Sequence, residues 1–298
     1  MEPNPVRYVP PVYRPPSEAE SLILPVTDGC SWNKCTFCEM YTDAEKRFRP
    51  RSEEEIVETI RRCREAFGDQ VRRVFLADGD ALTLSARRLT SVLEAIRREL
   101  PAVRRVSSYC LPRNVRNKSV EDLKRLAELG LSIVYVGAES GDDEVLERVN
   151  KGETFETTRE ALDKLGAAGI KRSVMILNGL GGRTLWRQHA ENSARLMNAT
   201  QPEFLATLVV SFPKGEERFR AGFDGWQELS VVELMQEMEL MLSRLELKRT
   251  VFRSDHASNW LILKGTLGAD KARLLAELRA AIAAPDQARL RPAWARGL

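Results

Sequence analysis

Residues 22–38 read Leu22-Ile23-Leu24-Pro25-Val26-Thr27-Asp28-Gly29-Cys30-Ser31-Trp32-Asn33-Lys34-Cys35-Thr36-Phe37-Cys38. A short apolar run is followed at once by three cysteines spaced C-x4-C-x2-C, which predicts a strand from Leu22 to Val26 opening into a metal-binding loop. Three thiolates on one loop can wrap a cubane iron-sulfur cluster, each sulfur holding a different iron and the fourth iron left open. An open metal position is what separates catalytic sites from closed structural ones. The alternative is a structural zinc completed by His189, His256, Cys63 or Cys110, none of which stands in a second tight pair. Cys63 and Cys110 read as small buried side chains rather than ligands.

Outward from this loop, short β-branched runs alternate with longer amphipathic ones. Strands are predicted at Leu22–Val26, Val71–Ala77, Val103–Ser107, Ile133–Gly137, Ser173–Leu177 and Phe204–Val210. Helices are predicted at Ser52–Phe67, Ser85–Leu100, Ser119–Leu129, Thr157–Ala168 and Leu185–Asn198, with Ser52 and Ser119 placed ahead of acidic residues as N-caps. Strand-helix alternation of this kind predicts an α/β fold, a partial (β/α)6 TIM-like barrel whose catalytic groups follow the strands. After Ser211 the rhythm changes: a Gly-rich, charged stretch over 212–229, helices at Val231–Leu245 and Lys271–Ala284, and an extended segment at Phe252–Gly265. The domain plan is therefore a Pro-rich arm over 1–20, the barrel over 21–211 and a C-terminal α/β appendage over 212–298 that closes it. The arm carries Pro3, Pro5, Pro10, Pro11, Pro15 and Pro16, which favour an extended chain lying across the body of the domain.

The chain of 298 residues, 43% hydrophobic, is long enough for a substantial core, which excludes disorder and a disulfide-stapled mini-protein. Five cysteines, three of them clustered, point to a metal site in a reducing compartment. No apolar run is long enough to span a bilayer and no signal peptide is evident, so a cytoplasmic, membrane-free protein is expected. Lys plus Arg at 46 against Asp plus Glu at 43 gives a net charge of +3, which does not argue for a dedicated nucleic-acid binder.

The cysteine loop, with Phe37 just before its last cysteine, resembles that of the radical S-adenosylmethionine (SAM) superfamily, although the commonest pattern there has three residues, not four, between the first two cysteines. Further segments carry the resemblance in the right order. Asp78-Gly79-Asp80 follows the second strand, like the family's motif that receives the SAM amino group. Tyr135-Val136-Gly137-Ala138-Glu139-Ser140-Gly141 follows the fourth and is similar to a stretch of the branch containing oxygen-independent coproporphyrinogen oxidase, the tRNA methylthiotransferases and the Elongator catalytic subunit. Leu177-Asn178-Gly179 follows the fifth and resembles the family's adenine-flanking segment.

The resemblance implies a 4Fe-4S cluster on Cys30, Cys35 and Cys38, with SAM positioned by Phe37, Asp78, Gly79, Asp80, Glu139, Ser140, Leu177, Asn178 and Gly179. It further implies reductive cleavage of SAM to a 5′-deoxyadenosyl radical that abstracts hydrogen from a substrate, with a reductase, ferredoxin or flavodoxin as electron donor. The substrate stays open between a small molecule, a nucleoside and RNA. Asp255, His256 and Asn259 form a dense polar group and are candidate catalytic or substrate contacts, with an imidazole tying down the C-terminal segment as the alternative. His189 reads as structural. Arg47, Arg49 and Arg51 flank Phe48 and are read equally as a phosphate receiver or a solvated charge run. Two other classes remain: an iron-sulfur carrier or scaffold that leaves SAM intact, and a zinc-stabilised binding protein.

Overall fold

The structure is a computed structural model that describes residues 4–297; Pro3, of the N-terminal arm, lies outside the described residues. The strands are β1 (Leu22–Pro25), β2 (Thr27–Asp28), β3 (Arg49–Pro50), β4 (Arg73–Ala77), β5 (Arg105–Cys110), β6 (Leu131–Glu139), β7 (Lys171–Asn178), β8 (Phe204–Val209), β9 (Val251–Ser254) and β10 (Leu263–Thr266). The helices are α1 (Glu53–Phe67), α2 (Ala86–Glu99), α3 (Val120–Glu128), α4 (Asp143–Arg148), α5 (Phe155–Ala167), α6 (Gly182–Thr200), α7 (Glu217–Gly222), α8 (Val231–Arg244) and α9 (Lys271–Ala283). The alternation of strand and helix and the parallel pairings make this the expected α/β class. Two compact units divide the chain: Met1–Asn33, Met40–Val136 and Asp163–Arg172 form one, and Lys34–Glu39, Gly137–Leu162 and Ser173–Leu298 the other.

In the first unit the strands run parallel in the order β1-β4-β5-β6. Val74, Phe75, Leu76 and Ala77 of β4 are all fully buried, because a parallel strand is covered on both faces and so needs apolar residues without alternation. Helix α1 buries Ile56, Thr59, Ile60 and Cys63, the 3–4 spacing that puts one face of a helix against a sheet. Burying each large aliphatic chain of such a face contributes about 1.5–3 kcal/mol. The expected caps form: Ser52 accepts from the Glu55 N–H at 3.1 Å, and Ser119 and Asp122 make a reciprocal capping box. Strand β5 starts later than expected because the Val103 N–H closes a turn onto the Leu100 carbonyl at 3.0 Å. The arm lies on this unit, with Val6 buried, the Tyr8 hydroxyl donating to the Ile23 carbonyl at 3.0 Å and Arg51 donating to the Arg7 carbonyl at 3.0 Å.

In the second unit the order is β7-β8-β9-β10, parallel except for the antiparallel β9–β10 pair. The extended segment expected at Phe252–Gly265 is thus two strands joined by the 255–262 loop, and β9 continues the parallel register of β8. The 212–229 stretch, expected as an irregular connector, contains α7. That short helix forms because Phe219 packs edge-on against Trp226 at 5.0 Å and tilted against Phe212 at 4.6 Å, a tertiary contact no local propensity encodes. Among the described residues no helix is long and apolar enough to cross a membrane.

Candidate functional site

Parallel strands place their carboxyl ends at one edge of a sheet, and the turns that follow carry the candidate residues. In the first unit, Thr27 and Asp28 of β2 lead into Gly29 and Cys30. Gly29 has φ 70° and sits under the Lys46 carbonyl, a left-handed, crowded position that glycine alone takes without strain. The Asp78 carboxylate, directly after β4, receives the Gly29 N–H at 3.3 Å and the Lys46 ammonium at 2.5 Å on Oδ2. Its Oδ1 is buried and accepts no hydrogen bond of normal geometry among the described residues. Burial raises the Asp78 carboxyl, opposed by Lys46, the Gly29 N–H and the Tyr41 hydroxyl.

Gly79 donates to the Gly29 carbonyl at 3.1 Å, and a Cβ there would stand 2.8 Å from the Cβ of Cys30. Asp80, expected to face SAM, is instead spent on the loop: it accepts the Ser31 N–H at 2.7 Å, the Ser31 hydroxyl at 2.5 Å and the Asn114 amide at 2.9 Å. Within the four-residue spacer between Cys30 and Cys35, Asn33 has φ 45° and its amide donates to the Tyr41 carbonyl at 2.7 Å. Trp32 in the same loop lies under the Arg113 guanidinium at 3.7 Å.

In the second unit, the Thr36 N–H donates to the Val149 carbonyl at 3.0 Å and Arg218 to the Cys38 carbonyl at 2.7 Å, which fixes the loop around the buried Cys35 and half-buried Cys38. Phe37 and Leu177 both pack on the cluster of Val145, Val149, Leu180, Leu185, Phe219, Phe223 and Trp226. Glu139, the last residue of β6, has φ 66°, an unusual conformation for a non-glycine residue. Its carboxylate takes the Lys151 ammonium at 3.0 Å and occupies the space a Cβ on Gly137 would need. Ser140 is a turn and scaffold residue: its hydroxyl receives the Asp142 N–H at 3.0 Å and bonds His189 Nδ1 at 2.8 Å.

Asn178 ends β7 with its Oδ1 buried and, among the described residues, without a donor. Gly179, at φ 83°, donates its N–H to Glu237 Oε1 at 2.7 Å. Asn259 donates to the Thr207 carbonyl at 2.7 Å, and Ser258 receives the Val209 N–H at 3.1 Å and bonds His256 Nδ1 at 2.9 Å. Asp255 pairs with Lys264 at 2.9 Å. The polar group at 255–259 is therefore a loop tied to β8, further clamped by Arg291 on the His256 and Asn259 carbonyls. In the arginine run Arg51 is buried on Asp28 at 2.8 Å, whereas Arg49 reaches Asp28 at 2.9 Å with its side chain 59% exposed.

A family model described as the radical SAM superfamily matches residues 24–195, more than half of the chain and the span that carries all four of these turns. The chain belongs to the radical SAM superfamily. It is 28% identical over 161 residues to the heme chaperone HemW of Bacillus subtilis, covering 53% of this chain and 41% of that one, and 30% identical over 152 residues to the hopanoid C-3 methylase of Methylococcus capsulatus, covering 50% and 27%. The radical SAM chain thus spans less than half the length of these curated relatives. Its fold is shared with coproporphyrinogen III oxidase HemN from Escherichia coli (TM-score 0.56, 15% identity, 75% of this chain and 52% of that one) and methylornithine synthase PylB (0.51, 19%, 76% and 63%).

Membership implies a 4Fe-4S cluster and SAM. Among the described residues no three His, Cys, Asp or Glu side chains stand gathered as a metal-holding group. The residues nonetheless fit the cofactors by their chemistry: a thiol donor set on one anchored loop, and a buried Asn178 oxygen that, among the described residues, lacks the donor that an ammonium or hydroxyl supplies.

Two interacting groups escaped the sequence reading of this radical SAM chain. Lys46 directly precedes the arginine run, yet it is almost fully buried. Glu237 was legible as an acid on the apolar face of α8 formed by Leu234, Met238 and Met241. Burial pushes Glu237 up to about 8 from 4.5, with the Gly179 N–H opposing, and pushes the fully buried His189 down to about 4. Glu237 therefore favours folding at low pH and loses that contribution as pH rises toward 8, whereas His189 loses its contribution as pH falls below 6.5. The two slopes oppose below 6.5, leaving Glu237 dominant between 6.5 and 8. In Glu237→Gln, which keeps the acceptor for Gly179 but cannot ionise, denaturant melts across that window should lose a downward slope of up to about 1.4 kcal/mol per pH unit. A slope equal to wild type would show that Glu237 is ionised in the fold.

Proposed function

We propose that the protein is a radical SAM enzyme that binds a 4Fe-4S cluster through Cys30, Cys35 and Cys38 and cleaves SAM reductively in order to abstract hydrogen from a substrate. When bound, the cluster and SAM supply an electron and a sulfonium whose cleavage gives methionine and the 5′-deoxyadenosyl radical. The observation that carries the reading is the buried Asn178 Oδ1, which has no donor among the described residues and stands at the carboxyl end of a parallel strand within the family's matched span. Asp78, held by Lys46, offers Oδ1 to an ammonium. Gly79 lets the strand end approach the cysteine loop. Glu139, fixed by Lys151, and the Leu177–Gly179 turn orient the adenosyl part, and Phe37 with Leu177 supplies an apolar wall that excludes water. Asp80 and Ser140 act by holding these turns in place.

Radical SAM enzymes need a reductant and a substrate; a reductase, ferredoxin or flavodoxin fits the first role. For the second we favour a small molecule over RNA, since Arg51 is buried on Asp28 and the net charge is only +3. Asp255 and His256 are the substrate contacts in this reading, and Asn259 holds their loop. The test is anaerobic reconstitution followed by iron and sulfide assay, then SAM with dithionite. Formation of 5′-deoxyadenosine is expected; a cluster without SAM cleavage would point to an electron carrier, and neither cluster nor cleavage would refute the reading.

A further inference from the structure

The tetrapeptide Val-Arg-Arg-Val occurs twice, at 71–74 and 103–106. Each copy leads into a strand, and the two strands are neighbours: β4 and β5 pair in parallel with Arg73 opposite Arg105, and the Arg104 N–H donates to the Arg72 carbonyl at 2.9 Å. Paired residues on adjacent strands stand about 4.8 Å apart. Like charges placed so are destabilising unless something offsets them.

The side chains on hand offset part of it. Glu18, fully buried, pairs with Arg105 at 2.8 Å while also receiving the Tyr135 hydroxyl at 2.5 Å and the Ser21 hydroxyl at 2.5 Å, so it balances one of the four arginine charges. Glu20 is 85% exposed and 3.9 Å from Arg73, where a single surface pair contributes little. The Nε–H of Arg105 is buried and, among the described residues, has no acceptor. The four arginines Arg72, Arg73, Arg104 and Arg105 together line a cavity of about 330 Å³.

We propose that this cavity, at the amino ends of β4 and β5, binds the phosphate or diphosphate group of a small organic anion. The guanidinium fork matches phosphate oxygens in pairs, which an ammonium cannot do. A concave space of this volume suits a small molecule. The site is separate from the proposed SAM site, because Asp78 follows the opposite end of β4, about 16 Å away at 3.3 Å per residue. The proposal therefore stands whether or not the chain cleaves SAM.

Inorganic pyrophosphate is the probe, titrated by calorimetry into reconstituted protein at about 0.15 M salt, where exposed charges are largely screened beyond about 8 Å. Saturable one-site binding is expected, weakened at least about tenfold, or 1.4 kcal/mol, in Arg72→Gln/Arg104→Gln. Both positions avoid the Glu18 contact and their loss relieves like-charge repulsion, so the double variant should melt at or above the wild-type temperature. Should it fail to fold, Arg72→Lys/Arg104→Lys keeps the charge and loses the fork, and must also bind more weakly. Absence of saturable binding, or equal affinity in the variants, overturns the proposal. So does binding seen only with single-stranded RNA and abolished by salt, since that would be backbone counterion release and not a built site. Formation of 5′-deoxyadenosine should be unchanged in the variants, which keeps this result apart from that of the proposed activity.

Discussion

Replacing Cys35 by alanine should reduce bound iron and sulfide to background and lower 5′-deoxyadenosine formation by roughly three orders of magnitude, since three thiolates are the least that can hold a cubane cluster with one iron open. Cys35 is the most enclosed of the three, 8% exposed, in a loop fixed by the Thr36 and Cys38 backbone bonds. Cys30→Ala and Cys38→Ala should behave alike. The internal control is Cys63→Ala: burial pushes that thiol up to about 11, so it is not a thiolate at neutral pH and its loss should leave the iron content unchanged. Iron retained in Cys35→Ala, or lost in Cys63→Ala, would overturn the assignment of the ligands.

Lys46→Met should destabilise the fold by about 3–5 kcal/mol, because removing one partner of a buried ion pair strands the other. The Lys46 and Asp78 side chains are 1% and 3% exposed. Without the ammonium, burial raises the Asp78 carboxyl further, so the loss should be smallest at acid pH, where Asp78 takes up a proton, and grow as pH rises through its folded value. Lys46→Met/Asp78→Asn removes both charges and should recover part of the loss. Urea melts of the two single variants and the double variant at pH 5 and pH 8 measure the coupling; additive losses would mean that the pair does not act as a unit. SAM affinity should fall in every variant that changes Asp78, since its Oδ1 is the acceptor offered to the ligand.

The barrel strands were legible because parallel strands buried on both faces read as unbroken apolar runs, as Val74–Ala77 does, and the main helices because Ser52 and Ser119 advertise their caps. What stayed hidden depended on partners distant in sequence. Helix α7 exists through Phe212 and Trp226, and β9 through its pairing with β8. The site divided the same way. Strand-end position marked Asp78, Glu139 and Asn178, but nothing local distinguishes Asp78, which pairs with Lys46, from Asp80, whose carboxylate is held by Ser31 and Asn114. Lys46 sits among the charged Arg47 and Arg49, and only the fold shows that its carbon stem runs inward. The doubled Val-Arg-Arg-Val was visible in the sequence but acquires meaning only once β4 and β5 lie side by side.

The clearance at Gly79 bears on how this chain can vary. A methyl group at position 79 would collide with Cys30 and with the Gly29 carbonyl, both backbone-fixed, so no rotamer adjustment relieves it. Two segments nearly fifty residues apart are thereby coupled: a side chain at position 79 requires the backbone at Gly29 and Cys30 to shift, so change in the turn after β4 must be matched at the start of the ligand loop. Homologues with the shorter three-residue spacing should tolerate exchange of the paired segments far better than exchange of either alone.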